Sequence, residues 1–262
     1  MSDSRPIGIF DSGFGGISVL KAAVSMLPSE NFIYFGDNAY APYGLKAAEQ
    51  ITERALVCAS FLVQKGCKAI VVACNTATSA AINKTREVFN VPVVSIEPAI
   101  KPALEQCPSG NILMIATPAT CSLSRYLALK DRLGGSRRVI DVGGYGIVEM
   151  LEQGLFAPGA YQQQLGEILA PYEGLEVGGI VLGCTHYLFI KDEIASYARQ
   201  HFTGACRIFD GNRATALQLG RVLAAAGLEF AGPGGEIAFF TSGSREAAMP
   251  IFRKLMDTPL EI

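Results

Sequence analysis

The tightest constraint on the fold of this chain is that it states one pattern twice. Short runs rich in Ile and Val alternate with longer amphipathic stretches, the arrangement of parallel strands joined by crossover helices. Strands are expected at PIGIF, NFIYF, KAIVVA and VPVVSI, and again at NILMIA, RVIDV, GGIVLG and CRIFD. Aligning the two sets pairs Ile7 with Ile112, Ile33 with Ile140, Ile70 with Ile180 and Val93 with Ile208, at offsets of 105, 107, 110 and 115. An offset that is nearly constant and grows slowly is what an internal duplication leaves behind. The expected fold class is therefore α/β: two pseudo-symmetric parallel-sheet α/β domains facing each other across a cleft. The apolar runs are continuous rather than alternating, as in strands buried on both faces.

Length agrees with this reading, because 262 residues, half of them hydrophobic, can fill one large core or two smaller ones. The formal charge is −2, from 22 basic and 24 acidic side chains without a basic cluster. Such a surface carries no electrostatic footprint for nucleic acid, so the expected partner is a small molecule. No apolar run approaches a membrane span, and the start MSDSRP lacks the parts of a secretory signal, so a cytoplasmic location is expected. The seven cysteines are scattered and never form a CxxC pair. That argues against both a disulfide framework and a zinc site.

Two of those cysteines stand apart. The third strand of each set runs into a similar loop, VVACNTAT in the first and VLGCTHYL in the second, with Cys74 and Cys184 offset by the same 110 positions as the strands themselves. Ligands of open parallel sheets bind beyond the carboxyl ends of the strands. Two halves packed with those edges facing place Cys74 and Cys184 on opposite walls of one cleft. Free cysteine is usually buried filler, but the hydroxyl and amide groups beside these two make poor core neighbours without partners. Helix starts are expected after both loops, so NH groups near Asn75, Thr76 and Thr185 would face an anion. The same dipoles are expected to favour thiolates, lowering both cysteines from the free thiol's ~8.5. His186 follows Cys184 by two positions and can poise or protonate it, whereas His201, in ARQHF, reads as a surface residue.

Other strand ends are polar too. The first ends in FDSGFGG, placing Asp11 and Ser12 at the matching loop position, either as ligand contacts or as a cap for the next helix. Its glycines allow close backbone approach but do not have the dinucleotide spacing. The second strand runs into GDNAYAPYGLK, where Tyr43 and Gly44 could offer a hydroxyl and an amide. In ATPAT, Thr117 and Thr120 can cap a helix or touch a ligand.

Two opposed thiols around a small anion can invert a stereocentre: one takes a proton from one face of a carbon while the other returns a proton to the opposite face. A duplicated protein suits mirror-image substrates. At this point the segments FDSGFGG, GDNAYAPYG, VACNTATSA, ATPAT and GCTHY, with LEQG around Glu152, IFD near Asp210 and FFTSG near Thr241, resemble the cofactor-independent glutamate racemases of the aspartate/glutamate racemase superfamily.

The resemblance implies that Cys74 and Cys184 are the paired acid/base residues, with Asp11 assisting the first and His186 the second. It implies that Asp11, Ser12, Tyr43, Gly44, Asn75, Thr76, Thr185 and His186 hold the charged groups of glutamate, with Thr120 as a further contact. It implies interconversion of L- and D-glutamate, without cofactor or metal, to supply peptidoglycan synthesis. The domains carried over are residues 1–96 with 209–262, and residues 97–208. If the chain assembles, a homodimer is expected, since symmetric dimers are the commonest oligomers.

This chain departs from the family wording at Leu188, where Pro is usual, and at Asp141 to Tyr145, where a CysPro pair is usual. Glu152 reads from the sequence as an exposed charge on an amphipathic helix. The rival readings are an aspartate, hydantoin or related two-cysteine racemase or isomerase, and a non-catalytic amino-acid-binding protein. A pyridoxal phosphate enzyme is disfavoured because no lysine stands in a Schiff-base context.

Overall fold

The computed structural model describes residues 2–260. The first half of the chain alternates β1 (Ile7–Asp11), α1 (Ile17–Met26), β2 (Phe32–Gly36), α2 (Ala48–Gln64), β3 (Ala69–Val72), α3 (Asn75–Val88) and β4 (Val93–Ser95). The second half follows with α4 (Ile100–Gln106), β5 (Asn111–Ala116), α5 (Pro118–Ser122), α6 (Ser124–Arg132) and β6 (Val139–Gly143). It continues through α7 (Ile147–Glu152), α8 (Gln162–Leu169), β7 (Val177–Leu182), α9 (Lys191–His201) and β8 (Arg207–Phe209). The chain then adds α10 (Asn212–Ala226), β9 (Ile237–Thr241) and α11 (Arg245–Asp257).

All strand pairs among the described residues are parallel, and they form two sheets, β4-β3-β1-β2-β9 and β8-β7-β5-β6. Apart from β9 the two orders are the same once β1 to β4 are matched with β5 to β8. The match extends to register. Gly8 stands beside Ile33 on one side and Ile70 on the other, and Ile70 stands beside Val93. Leu113, 105 positions beyond Gly8, stands beside Ile140 and Ile180, and Ile180 beside Ile208. The four pairs aligned from sequence therefore occupy equivalent positions in the two sheets, residue for residue.

Both sheets are covered on both faces, which is why their strands are apolar throughout. Side chains alternate: Ile7, Ile9, Ala69 and Val71 pack with α1 and α10, whereas Phe10, Ile70 and Val72 pack with α2 and α3. In the second sheet Leu113, Ile115, Ile180 and Leu182 enter one core and Ile112, Met114 and Val181 the other. Full burial of one Ile or Leu contributes roughly 1.5–3 kcal/mol, so these four layers carry most of the fold's stability.

After β8 the chain returns to the first sheet: α10 packs against α1 and β4, and β9 adds to the β2 edge. The ninth strand is one the periodicity did not announce. Ala238 is exposed and only Phe239 is buried in Ile237–Thr241, as befits an edge strand with a short, mixed pattern. No helix among the described residues is long and apolar enough to cross a membrane.

Candidate active site

The carboxyl ends of the matched strands deliver the two thiols. Cys74 and Cys184 each lie two residues past the end of the third strand of their half, both in extended backbone, and both are buried, 5% and 9% exposed. Cys74 is also the N-cap of α3, its sulfur accepting the Ala77 N–H at 3.4 Å while its thiol donates to Ser12 Oγ at 3.6 Å. Cys184 Sγ lies 3.6 Å from His186 Nδ1.

Burial pushes the Cys74 thiol up to about 12, and Asp11 and Cys184 add to the rise, against the Ala77 and Ser12 contacts. The depression expected from the helix start is therefore outweighed: removing the sulfur from water opposes its charge more than the dipole favours it. The second expected helix start also differs. After Cys184 the chain forms a 3-10 turn over Thr185–Ile190, and α9 begins only at Lys191.

Asp11 is completely buried at the end of β1. It does not cap α1, whose N-cap is Gly16 with no side-chain bond. Instead Oδ1 accepts the Gly13 N–H at 2.9 Å and Oδ2 accepts the Thr185 hydroxyl of the other half at 3.1 Å. Burial raises its carboxyl above the ordinary range, partly offset by His186 and the Gly13 N–H. The glycine loop after Asp11 lets the halves meet this closely. A Cβ on Gly15 would lie 2.2 Å from His186 Nδ1, and one on Gly13 only 2.0 Å from Glu152 Oε1.

Glu152 is not the exposed charge its helix suggested. Its side chain is 13% exposed; Oε1 lies 2.7 Å from His186 Nε2 and accepts the Phe14 N–H at 2.6 Å, while Oε2 accepts the Asn38 amide at 2.8 Å. Burial opposes a charge on His186, but Cys184 and Glu152 outweigh it and hold the ring well above the ordinary histidine range. The partners of Glu152 sit 138, 114 and 34 residues away in sequence, so only the fold reveals them.

Ser12, Asn75, Thr76, Thr120, Thr185 and His186 are all buried, and Ser12 and His186 contact the sulfurs of Cys74 and Cys184. Thr76, Thr117 and Thr120 join their hydroxyls in a triangle 2.9–3.0 Å on each side, which brings Thr120 to the site and shows Thr117 acting both in it and as the N-cap of α5. Asn75 Oδ1 is buried with no hydrogen-bond partner among the described residues. An acceptor left so is unfavourable by about 1–3 kcal/mol unless a ligand supplies a donor.

Tyr43 departs from its expected role: its hydroxyl is given to Asp37, which also holds Arg54 through two bonds of 2.8 and 2.9 Å. What the Tyr43–Leu45 turn can still present is the backbone NH groups that begin it. Gly44 sits against Thr117, where a Cβ would come within 2.7 Å. Of the departures from the family wording, Leu188 is buried in the core of the second half, and Asp141 binds Tyr126 and Lys130. His201 is a surface residue, stacked on Tyr197 and 3.0 Å from Glu173.

Two matched parallel sheets with a cysteine at the same strand end of each define a pseudo-symmetric α/β fold, and comparison with known proteins identifies its class. The profile described as Asp/Glu/hydantoin racemase matches residues 15–219, and the chain belongs to that family. It is an amino-acid racemase. It is 45% identical over 224 residues to the glutamate racemase of Clostridium kluyveri, covering 85% of each chain. Among solved structures, a glutamate racemase isoform from Bacillus anthracis superposes with a TM-score of 0.86 at 28% identity, over 98% of this chain and 95% of that one. The glutamate racemase of Francisella tularensis, solved in complex with D-glutamate, superposes with a TM-score of 0.84 at 28% identity, over 99% and 96%.

Proposed function

We propose that this protein interconverts L- and D-glutamate by two-thiol proton transfer at Cα, with Cys184 and Cys74 on opposite faces of the substrate. The observation that carries this reading is the equivalence of the two cysteines in sheets that match in order and register, each with a polar side chain against its sulfur. The relatives' names and the Francisella complex with D-glutamate support glutamate as the substrate.

In the L to D direction the Cys184 thiolate takes the Cα proton, with His186 beside it. The Cys74 thiol then protonates the other face of the resulting carbanion, with Asp11 and Ser12 behind it. Asn75 Oδ1 is suited to the substrate ammonium, being an acceptor without a donor. The opening NH groups of α3 and of the Tyr43–Leu45 turn, with Thr76, Thr120 and Thr185, suit its carboxylates. Burial of both thiols excludes water from the carbanion, where a well-placed acid and base contribute roughly 10²–10⁴-fold.

The halves that close on the substrate are taken as residues 1–96 with 209–262 and residues 97–208, supported by the return of α10, β9 and α11 to the first sheet. D-Glutamate made this way serves peptidoglycan synthesis. A cytoplasmic setting is supported by seven free cysteines, and a homodimer by the prevalence of two-fold assemblies. The test is chiral product analysis with each enantiomer of glutamate and of aspartate. Turnover of glutamate by the wild type, abolished in Cys74→Ala and Cys184→Ala, is the expected result. Preference for aspartate, or binding without turnover, contradicts it.

A further inference from the structure

One hydrogen-bonded chain crosses from the first half to the second and ends on a single thiol. Thr241 Oγ1, at the end of β9, donates to Asn38 Oδ1 at 2.8 Å. Asn38 Nδ2 donates to Glu152 Oε2 at 2.8 Å, and Glu152 Oε1 lies 2.7 Å from His186 Nε2. His186 Nδ1 reaches Cys184. Thr241 and Asn38 belong to the first sheet's half, and Glu152, His186 and Cys184 to the second. Cys74 is served differently: its contacts, Ser12 Oγ and the Ala77 N–H, come from its own half.

Asn38 occupies a place that its chemistry fits. A carboxylate only accepts, so the amide must turn its NH₂ to Glu152, which leaves its oxygen for the Thr241 hydroxyl. Glu152 in turn must keep Oε1 on His186 while the Phe14 N–H shares that same oxygen. Without Asn38 the carboxylate has no partner fixing its second oxygen in this arrangement, and the single Phe14 N–H bond to Oε1 leaves its plane free to turn.

Resting on the two-thiol reading above, we propose that Asn38, braced by Thr241, is a positioning residue for the Cys184 half-reaction, fixing Glu152 so that His186 is aimed at Cys184 when the two halves are closed. In that half-reaction the Cα–H bond of L-glutamate breaks, its electron pair stays on carbon and the proton goes to the Cys184 sulfur. The Cys74 S–H bond breaks next and its proton completes the opposite face. Asn38 acts on the first of these transfers and not on the second.

The test compares primary isotope effects on kcat/KM for L- and D-glutamate deuterated at Cα. In Asn38→Ala, kcat/KM is expected to fall about 10- to 100-fold, the range for losing a hydrogen bond to a charged group. The isotope effect should rise for the L enantiomer, whose deuteron Cys184 removes, and fall for the D enantiomer, whose deuteron Cys74 removes. Thr241→Val, which does not touch Glu152, should give the same asymmetry at smaller size, and Thr241→Ser should restore wild-type behaviour. Equal changes in the isotope effect for both enantiomers in Asn38→Ala, or a raised KM with kcat and isotope effects unchanged, overturn the proposal. A wild-type protein that turns over neither enantiomer contradicts the functional reading instead, so the two failures are told apart.

Discussion

Thr185 of the second half donates its hydroxyl to Asp11 of the first, Oγ1 to Oδ2 at 3.1 Å, inside a site where Asp11 has no exposure at all. A residue next to Cys184 is thus tied to the carboxylate behind Ser12 and Cys74, and a hydroxyl of the second half solvates a buried carboxylate of the first. Thr185→Val removes that donor. A hydrogen bond to a charged group is worth roughly 1.5–3 kcal/mol, so kcat/KM for both enantiomers should fall about tenfold or more, with Thr185→Ser close to wild type. Steady-state kinetics on the three proteins check this; an unchanged Thr185→Val enzyme would show that the bond has no catalytic consequence.

The glycine loop makes a sharper steric prediction. Ala at position 15 would place its Cβ 2.2 Å from His186 Nδ1, in a contact that no small shift relieves, because Thr185 Oγ1 stands at 2.5 Å on the same side. Gly15→Ala should therefore lose about 100-fold or more of kcat/KM, as expected when catalytic groups are displaced by about an ångström. Gly166, in the middle of α8 with nothing near its added Cβ, is the control. Gly166→Ala should keep full activity and gain roughly 0.4–1 kcal/mol of stability from lower chain entropy and better helix propensity. Thermal melts and activity assays on both variants decide the matter.

How far the fold could be read beforehand is shown by Gly8 and Leu113. The pairs offset by 105 to 115 positions proved equivalent in register, because burial on both faces leaves an apolar signature in each strand that survives divergence. Cys74 and Cys184 were legible for the same reason: polar groups after an apolar strand need partners. Glu152, Asn38 and Asp37 were not, since each owes its role to partners brought in by tertiary closure. The rise of the Cys74 thiol is not legible in the sequence, because the local helix dipole is outweighed by a desolvation that only packing reveals. Strand β9 escaped because an edge strand needs no continuous apolar run.

Buried thiols also give the stability a pH dependence of known sign. Burial lifts Cys74, Cys67 and Cys121 from 9.0 to about 12 in the folded chain. Between those values the unfolded chain gives up thiol protons that the folded chain retains, so the unfolded state gains relative stability. The contribution is fully present below about pH 9 and is lost as pH rises towards 12. Denaturant midpoints should accordingly fall steadily from pH 9 upwards. Replacing Cys67 and Cys121 by Ala, which removes two titrating groups, should flatten that fall even if it lowers stability overall. A midpoint that is flat or rising above pH 9 would contradict the assignment.

The two-thiol arrangement itself is tested most directly by racemising L-glutamate in heavy water and recording proton NMR spectra of the separated enantiomers at low conversion. If Cys184 removes the Cα proton and Cys74 supplies another from the opposite face, the D-glutamate formed carries deuterium at Cα while the recovered L-glutamate remains largely protiated. Rapid entry of deuterium into the unreacted L-glutamate would mean that one base serves both faces, and would contradict the account.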